Sequence, residues 1–262
     1  MAWRSRFRAE EIADYLEQQN RDRQATERAI VEQALDQIEL LKLIENDARA
    51  IVVGEKGWHP GVIGIVASRI VDRFHRPTIV VGIGEELGQG SGRSIDGFHL
   101  ARALGAVGHL LEGHGGHEMA AGLKVLPCKF EEFRAAFTQH VNETIDPDLL
   151  VAELHLDCDA DLRQVTESLI ADLARLGPFG RGNPRPLLRC RGLALTTAPR
   201  RVGKTGDHLQ LYVRGDNGTV MKAIAFGAGA LFEKLQAGTV VDLAVQPQLN
   251  EYNGFRSVEL EV

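Results

Sequence analysis

Two glycine-rich stretches hold the residue types that proteins use to bind phosphate. Residues 113–123 have the sequence GHGGHEMAAGL, and residues 90–94 have the sequence GSGRS. Glycines let backbone N–H groups approach an anion closely. The imidazole of His117 can give a proton to a phosphate oxygen, and the guanidinium of Arg93 can pair with two oxygens at once. The chemistry that both stretches suggest is recognition of a phosphate group.

In the first stretch, three glycines around a histidine precede small and apolar residues at helical spacing. This pattern predicts a tight loop that enters a helix, whose positive end would attract an anion. Gly115, Gly116 and His117 are the candidate phosphate ligands. Short glycine motifs are weakly specific, however. In the alternative interpretation the glycines only let two backbones cross, and the histidine is merely exposed.

The second stretch follows the apolar run 78–83, which predicts a buried strand. It is predicted to be a flexible loop with four candidate phosphate ligands, Ser91, Gly92, Arg93 and Ser94. Two such loops about twenty residues apart are less ordinary than one, which favours the phosphate interpretation for both.

Strands and helices alternate around these stretches. Apolar runs at 48–53 and 77–83 predict strands, and periodic segments at 62–70, 98–111 and 129–144 predict helices. This alternation indicates an α/β sandwich with loops at its strand ends. Trp58 and His59 fall on a strand-to-helix turn, where they would either face a ligand or cover the sheet edge. Three phenylalanines at helical spacing in 129–144 are predicted to be core: Phe130, Phe133 and Phe137.

Residues 8–46 contain neither proline nor glycine and carry an apolar stripe, so they predict one long helix. Two interpretations are open. The helix either connects to or docks against another domain, or it lies along its own domain as an amphipathic first helix.

A dense Gly/Pro cluster at 176–186 precedes five strand-like runs, with a short helical stretch between the third and the fourth. This order is that of an OB-type barrel, which binds single-stranded nucleic acid or sugar. Arg200, Arg201 and Lys204 are predicted on the loop between the first two strands. Four aromatic residues are candidates for stacking on bases, although strand alternation turns at least half of them inward: Tyr212, Phe226, Tyr252 and Phe255.

Charge is unevenly distributed along the chain. From Pro178 onward there are 11 Lys and Arg against 7 Asp and Glu, whereas the whole chain has a net charge of -6. A basic C-terminal part points to an anionic partner. No run approaches the roughly 20 apolar residues that cross a bilayer, and the first residues lack the apolar stretch of a signal peptide. We therefore expect a soluble, cytoplasmic protein without membrane partners.

Two possible metal or redox features are weak. The three cysteines are widely spaced, so they indicate neither a disulfide framework nor a zinc knuckle. Asp157, Asp159 and Asp161 alternate in the sequence and would share one face of a strand. That pattern fits a metal site, but a solvated sheet edge has the same pattern.

Four motifs resemble, in order and spacing, the C-terminal half of the RecJ family of single-strand-specific DNA exonucleases, which degrade from the 5′ end. The motifs are WHPGVIGIVA at 58–67, GSGRS at 90–94, GGHEMAAG at 115–122 and PFGRGNP at 178–184. The resemblance implies a connector helix over 1–46, a DHHA1-type α/β domain over 47–150, a linker region over 151–177 and an all-β OB-fold domain over 178–262.

The resemblance also implies roles for individual residues. Ser91, Arg93 and the loop formed by Gly115, Gly116 and His117 would contact the 5′ phosphate or the scissile phosphate of single-stranded DNA, with His117 as the catalytic stabilising group. The OB domain would hold the strand beyond, and the family places such proteins in DNA repair and recombination.

RecJ-like enzymes carry an N-terminal DHH domain whose Asp and His residues hold Mn²⁺ or Mg²⁺. This sequence has no Asp-His-His triplet, so we expect no metal cofactor within it. Hydrolysis of a phosphodiester in this family needs those metals. The expected function is therefore a single-stranded-DNA-binding exonuclease module that is inactive alone. Two alternatives stay open: a subunit completed by a separate DHH-domain chain, and a non-catalytic scaffold of a repair or replication assembly.

Overall fold

The computed structural model describes residues 2–45, 48–180, 182–252 and 254–262. The chain divides into two compact units, Met1–Ala152 and Glu153–Val262. Each unit has its own buried apolar core, which confirms the expected order of an α/β domain followed by a β domain. No helix among the described residues is both long and apolar enough to span a lipid bilayer.

The first unit is a five-stranded sheet between two helical layers. Its helices and strands are α1 (Ala2–Leu40), β1 (Ile51–Lys56), α2 (Ile63–Phe74), β2 (Thr78–Ile83), β3 (Gly88–Arg93), α3 (Leu100–Ala106), β4 (Gly113–Gly116), β5 (Ala120–Val125) and α4 (Phe130–Thr144). The strand order is β1-β2-β3-β5-β4. β1 and β2 are parallel, as a strand–helix–strand crossover requires, and the other pairs are antiparallel.

Alternation along the strands divides the core between the two faces of the sheet. Ile51, Val53 and Val80 pack with α1 and α2, whereas Val52 and Val81 pack with α3 and α4. Because both faces are covered, residues 51–53 of β1 and 79–81 of β2 are continuously apolar. The three phenylalanines of α4 are buried in the α3 and α4 layer, which confirms their prediction as core residues.

The long helix α1 has two different halves. Ile30 and Ile38 are 4% and 1% exposed and lie in the core shared with α2, whereas Ile12 and Leu16 are 51% and 59% exposed. The buried carboxylate of Glu27 forms ion pairs with Arg23 and with Arg69 of α2. The C-terminal half of α1 therefore lies on its own domain, and the half around residue 12 leaves its apolar residues uncovered.

The second unit is a closed barrel with a short helix on its side. Its elements are β6 (Cys158–Asp159), α5 (Glu167–Ala174), β7 (Leu188–Leu195), β8 (Arg200–Val202), β9 (His208–Arg214), β10 (Val220–Ala225), β11 (Val240–Tyr252) and β12 (Phe255–Glu261). The strand order is β6-β7-β11-β12-β10-β9-β8. A further pairing of β7 with β9 closes the barrel, and the 3₁₀ helix Ala228–Lys234 precedes β11. This is the OB arrangement that the sequence predicts.

The segment 151–177, expected as a linker region, contributes to this second unit. β6 pairs in parallel with β7, and the side chains of Leu162 and Val165 are buried in the barrel core. Leu169 and Leu173 of α5 pack against the same core.

Three local predictions are wrong. Residues 90–94 are not a loop, since residues up to Arg93 belong to strand β3. No helix follows His117, because β4 and β5 form a hairpin there. Arg200 and Arg201 lie on the short strand β8 rather than on a loop. Glycine is a poor strand former, so local preference favours loops in the first two cases. Packing outweighs this preference: a Cβ atom at Gly92 would lie 2.8 Å from Leu100 Cδ2, so a larger residue would require that leucine to move.

The two halves of α1 predict different responses to the same substitution. Ile30→Ala removes a buried side chain and should lower the free energy of unfolding of the first unit by about 2–4 kcal/mol. Ile12→Ala on the same helix should change it by less than about 0.5 kcal/mol. Urea denaturation of both variants measures the difference, and equal losses would contradict the assignment of the two halves.

Candidate nucleic-acid interface

Ser91 and Arg93 share one face of β3, because they are two residues apart on a strand. The face is the one that α2 covers. A Cβ atom placed on Gly64 of α2 would lie 3.0 Å from Arg93 Nη2 and 3.1 Å from Ser91 Oγ. Arg93 Nη1 donates hydrogen bonds to Ser91 Oγ at 3.1 Å and to the carbonyl of Gly92 at 2.8 Å. The guanidinium is therefore folded back along the strand, against the first turn of α2.

The first turn of α2 is a source of hydrogen-bond donors. The first amide groups of a helix have no partner inside the helix, and the helix dipole adds partial positive charge there. Ile63 and Gly64 occupy this turn, next to the hydroxyl of Ser91 and the guanidinium of Arg93. A cationic side chain, a hydroxyl and a helix N-terminus together can hold a phosphate. We call Gly64, Ser91 and Arg93 with this turn the phosphate cradle.

His59 lies on the exposed turn that leads into α2. Its Nδ1 accepts a hydrogen bond from the N–H of Gly61 at 3.0 Å, and its carbonyl accepts one from Val62 at 3.1 Å. In the neutral ring the proton is then on Nε2, which is available to an anion. Trp58, in contrast, is 4% exposed. Of the two interpretations, packing and ligand contact, Trp58 therefore fits packing. His59 is on the turn that leads into the phosphate cradle.

Two of the predicted ligands in the second stretch point away from the phosphate cradle. Gly92 faces Leu100 and Ile79 on the opposite side of the sheet. Ser94 is buried, and its hydroxyl donates to the carbonyl of Phe98 at 2.7 Å. Both residues therefore serve the fold at this place, whereas Ser91 and Arg93 lie on the face with α2.

The glycines of the first stretch continue the same sheet face. Ser91 pairs with Gly122 on β5, which pairs with Gly115 on β4. Gly115 is thus two strands, or about 10 Å, from Ser91. A Cβ atom on Gly115 would meet nothing within 4 Å. This part of the sheet therefore presents bare backbone beside the phosphate cradle.

His117 lies at the tip of the β4–β5 hairpin. Its N–H donates to the carbonyl of Ala120 at 2.8 Å, and Ala120 is paired with Arg93. Gly116 has a φ of 148°, and a Cβ there would overlap the carbonyl of Ala120, so only glycine allows this turn. The imidazole is exposed, at the end of the sheet where β3 ends at Arg93. The predicted help of a helix dipole in binding an anion is therefore absent here, because strand β5 and not a helix follows His117.

The barrel of the second unit has a polar outer face on β8, β9 and β10. Leu209, Leu211 and Val213 point inward, so Gln210 and Tyr212 point outward. Arg200 pairs with Gln210 and shares that face. Tyr212 is 38% exposed, and its hydroxyl accepts a hydrogen bond from Gln210 at 3.2 Å.

The other predicted contacts of the barrel are spread out. Arg201 stacks its guanidinium on Phe232 at 4.8 Å, on the other side of β8 from Arg200. Lys204 is exposed in the turn before β9. Phe226 is exposed, with its ring 5.1 Å from that of His208. The side chains of Tyr252 and Phe255 lie outside the described part of the structure.

Acidic side chains limit the positive charge of the barrel. Lys222, which is paired with Tyr212, forms an ion pair with Glu259 at 2.9 Å. Burial alone would raise the pKa of Glu259, but hydrogen bonds from Asn250 and Lys222 outweigh burial and lower that pKa. Glu259 therefore stays ionised and holds Lys222. The positive charge that this face offers to a strand is thus at Arg200 on β8 and at the exposed Arg214 on β9.

The three alternating aspartates act as structural groups. Asp157 accepts a hydrogen bond from the N–H of Leu187, and Asp159 forms ion pairs with Arg189 and Arg191. Asp161 caps a 3₁₀ turn, and hydrogen bonds from the backbone and side chain of Arg163 lower its pKa. Within the described ranges no three His, Cys, Asp or Glu side chains are grouped as a metal ion would require. These residues do not fit a divalent metal pair.

One part of the site, the first turn of α2, is not predicted from the sequence. Gly64 falls within the segment 62–70, for which only a helix is predicted. A signal was present, because glycine inside a predicted helix costs about 1 kcal/mol relative to alanine and usually has a packing or functional reason. Here the reason is that Arg93 and Ser91 occupy the space of a side chain.

Comparison with known proteins assigns both units. Residues 47–143 match the model of the DHHA1 domain, and residues 156–262 match that of the RecJ OB domain. The single-stranded-DNA-specific exonuclease RecJ of Bacillus subtilis is 33% identical over 258 residues, which are 98% of this chain and 32% of that protein. The Escherichia coli RecJ is 35% identical over 243 residues, 88% of this chain and 41% of that protein.

A solved structure supports the same assignment. The crystal structure of RecJ from Thermus thermophilus in complex with Mn²⁺ superposes with a TM-score of 0.72 at 30% identity, covering 92% of this chain and 34% of that one. The chain thus spans between a third and about two fifths of the length of these relatives. By both of its domains the chain belongs to the RecJ family, of whose members it corresponds to the C-terminal DHHA1 and OB part.

Proposed function

We propose that this chain binds single-stranded DNA as the strand-holding part of a RecJ-type 5′-to-3′ exonuclease. The observation that carries the proposal is the contact of Arg93 and Ser91 with the first turn of α2. That arrangement offers a charge, a hydroxyl and helix amides to one phosphate. The names of the relatives, single-stranded-DNA-specific exonucleases, support DNA as the ligand.

In this proposal the phosphate cradle holds the phosphate at the 5′ end. His59 and His117 stand beside it as further donors, and the bare backbone around Gly115 and Gly122 leaves room for the nucleotide. His117 stabilises the phosphate charge that develops as the bond to the next nucleotide breaks. The outer face of the barrel, with Arg200 and Tyr212, holds the strand farther along.

Hydrolysis itself needs an activated water and neutralisation of the phosphate charge, which Mn²⁺ or Mg²⁺ supplies. Among the described residues, no three His, Cys, Asp or Glu side chains are grouped so that they could hold such an ion. We therefore assign activation of the water by metal ions to a DHH domain, and to this chain only the binding of the strand and the stabilisation of charge by His117. The exposed apolar residues in the first half of α1, such as Ile12 and Leu16, favour a second candidate in which a separate DHH-domain chain docks there. Appearance of nuclease activity on mixing with such a chain would distinguish this candidate from a scaffold role in DNA repair.

Arg93 is expected to set the preference for a 5′ phosphate. Fluorescence anisotropy compares the Kd for one oligonucleotide with a 5′ phosphate and with a 5′ hydroxyl. Arg93→Ala should weaken binding of the phosphorylated strand about tenfold, which is about 1.4 kcal/mol, and bring the two Kd values together. It should also reduce the slope of log Kd against log salt by about 0.7, as loss of one phosphate contact to a single strand does.

Two control variants make this test specific. Arg73→Ala removes an exposed arginine at the other end of α2 and should leave the preference for the 5′ phosphate unchanged. Ser94→Ala should lower stability by about 1–3 kcal/mol, because it leaves a buried carbonyl unpaired, yet it should retain that preference. A wild-type chain that binds both strands equally would refute the phosphate cradle, and a chain that binds neither would favour the scaffold.

Tyr212, on the outer face of the barrel, is expected to contact the strand away from its 5′ end. Tyr212→Ala should weaken binding of both strands alike by about 1–3 kcal/mol if its ring stacks on a base, and Tyr212→Phe should keep most of the affinity. The same anisotropy titrations measure both variants. An effect confined to the 5′-phosphorylated strand would contradict a role for the barrel in holding the strand away from its end.

A further inference from the structure

We infer that Gln33 of α1 is a positioning residue for the phosphate cradle, acting through Trp58. The inference rests on the proposed function for its phosphate and on contacts within the first unit for its geometry. Gln33 is not itself part of the phosphate cradle. Its side-chain carbonyl Oε1 accepts a hydrogen bond of 2.6 Å from the indole Nε1–H of Trp58.

Trp58 fixes the position of the turn that leads from β1 to α2, because its side chain is buried. It is 4% exposed and lies in the core that α1 and α2 share. Its carbonyl oxygen packs so closely on Gly82 of β2 that a Cβ there would overlap it. The ring of Trp58 is thus packed in the core of α1 and α2, and its carbonyl is packed against β2. The indole N–H is the polar group of this side chain, and its hydrogen-bond partner is Gln33.

The backbone runs from Trp58 to the phosphate cradle in six residues. His59 bonds to the N–H groups of Gly61 and Val62, and α2 begins at Ile63. Gly64 then lies against Ser91 and Arg93. His59 is thus hydrogen-bonded to the residues that begin α2, and Val62 accepts a bond from Val66 within the helix. A displacement of Trp58 therefore moves the amide groups that face the phosphate.

A second glutamine of α1 holds the strand that precedes this turn. Gln37 accepts from the N–H of Gly54 at 3.3 Å and donates to the carbonyl of Gly54 at 3.2 Å. These two hydrogen bonds hold the N–H and the carbonyl of Gly54 at the outer edge of β1. α1 therefore aligns both the end of β1 and the turn after it, and Gln33 is the contact nearer to the phosphate cradle.

The amide groups at the start of α2 hold a phosphate only if they are placed to fit it. In enzymes, an error of about 1 Å in the placement of a group can cost up to about a hundredfold in rate. Gln33 itself is exposed on the helix apart from this bond, so its replacement leaves the core unchanged. Its role is therefore separable from that of the apolar residues of α1.

The test measures the ratio of the Kd values for 5′-hydroxyl and 5′-phosphate oligonucleotides. Gln33→Leu removes the acceptor and should reduce this ratio by about threefold to tenfold. Trp58→Phe removes the donor and should do the same, and the double variant should lose no more than either single one. Gln33→Glu keeps an acceptor and should retain the ratio within about twofold.

Gln18→Leu is the matched control, because this residue lies on the exposed half of the same helix and bonds to Asp22. It should change nothing. If Gln33→Leu lowers thermal stability yet keeps the wild-type ratio, the bond is only structural and the inference is overturned.

A second measurement decides the inference without DNA. Hydrogen exchange of the amides in residues 58–64 should be faster in Gln33→Leu and Trp58→Phe than in the wild type, and unchanged in Gln33→Glu. If the wild type does not distinguish the two oligonucleotides, the proposed function fails, and exchange alone decides whether Gln33 orders the turn. Unchanged exchange in Gln33→Leu would overturn the inference.

Discussion

The close packing of α2 on β3 is the constraint on which the site depends. Ser91 and Arg93 lie on one face of a strand whose alternate residues are glycines, and Gly64 of α2 lies directly above them. The glycines at 90 and 92 let Leu123 and Leu100 approach from the other side. The strand can therefore be buried on one face and carry a cation and a hydroxyl on the other. A side chain at Gly64 would take the space of the guanidinium.

This arrangement explains which predictions from the sequence succeed. The apolar strands β1 and β2, the helix α2 and the phenylalanines of α4 follow from hydrophobic periodicity, which reflects burial directly. The strands of the barrel follow from alternation, and their order around one 3₁₀ helix indicates the OB fold. The chemistry of Ser91 and Arg93 follows from residue type.

The failures arise where contacts distant in the sequence decide the structure. Glycine-rich segments have weak local preference, so tertiary packing decides whether they form loops or strands. Residues 90 and 92 lie in a strand because Leu123 and Leu100 fill the space that these glycines leave, whereas residues 113–116 form a strand by pairing with β5. The partnership of Arg93 with the first turn of α2 depends on how far a folded-back side chain reaches, and no local pattern contains that information. Arg200 and Arg201 face opposite sides of β8, because neighbouring residues on a strand do so. Which of the two faces outward depends on the register of β8 with β9.

The most direct test of the central claim is a crystal structure of this chain with a short 5′-phosphorylated oligonucleotide. The account predicts the terminal phosphate within about 2.7–3.1 Å of Arg93, of Ser91 Oγ and of the first amide groups of α2. A terminal phosphate bound elsewhere, with the guanidinium of Arg93 still folded against Ser91, would contradict it.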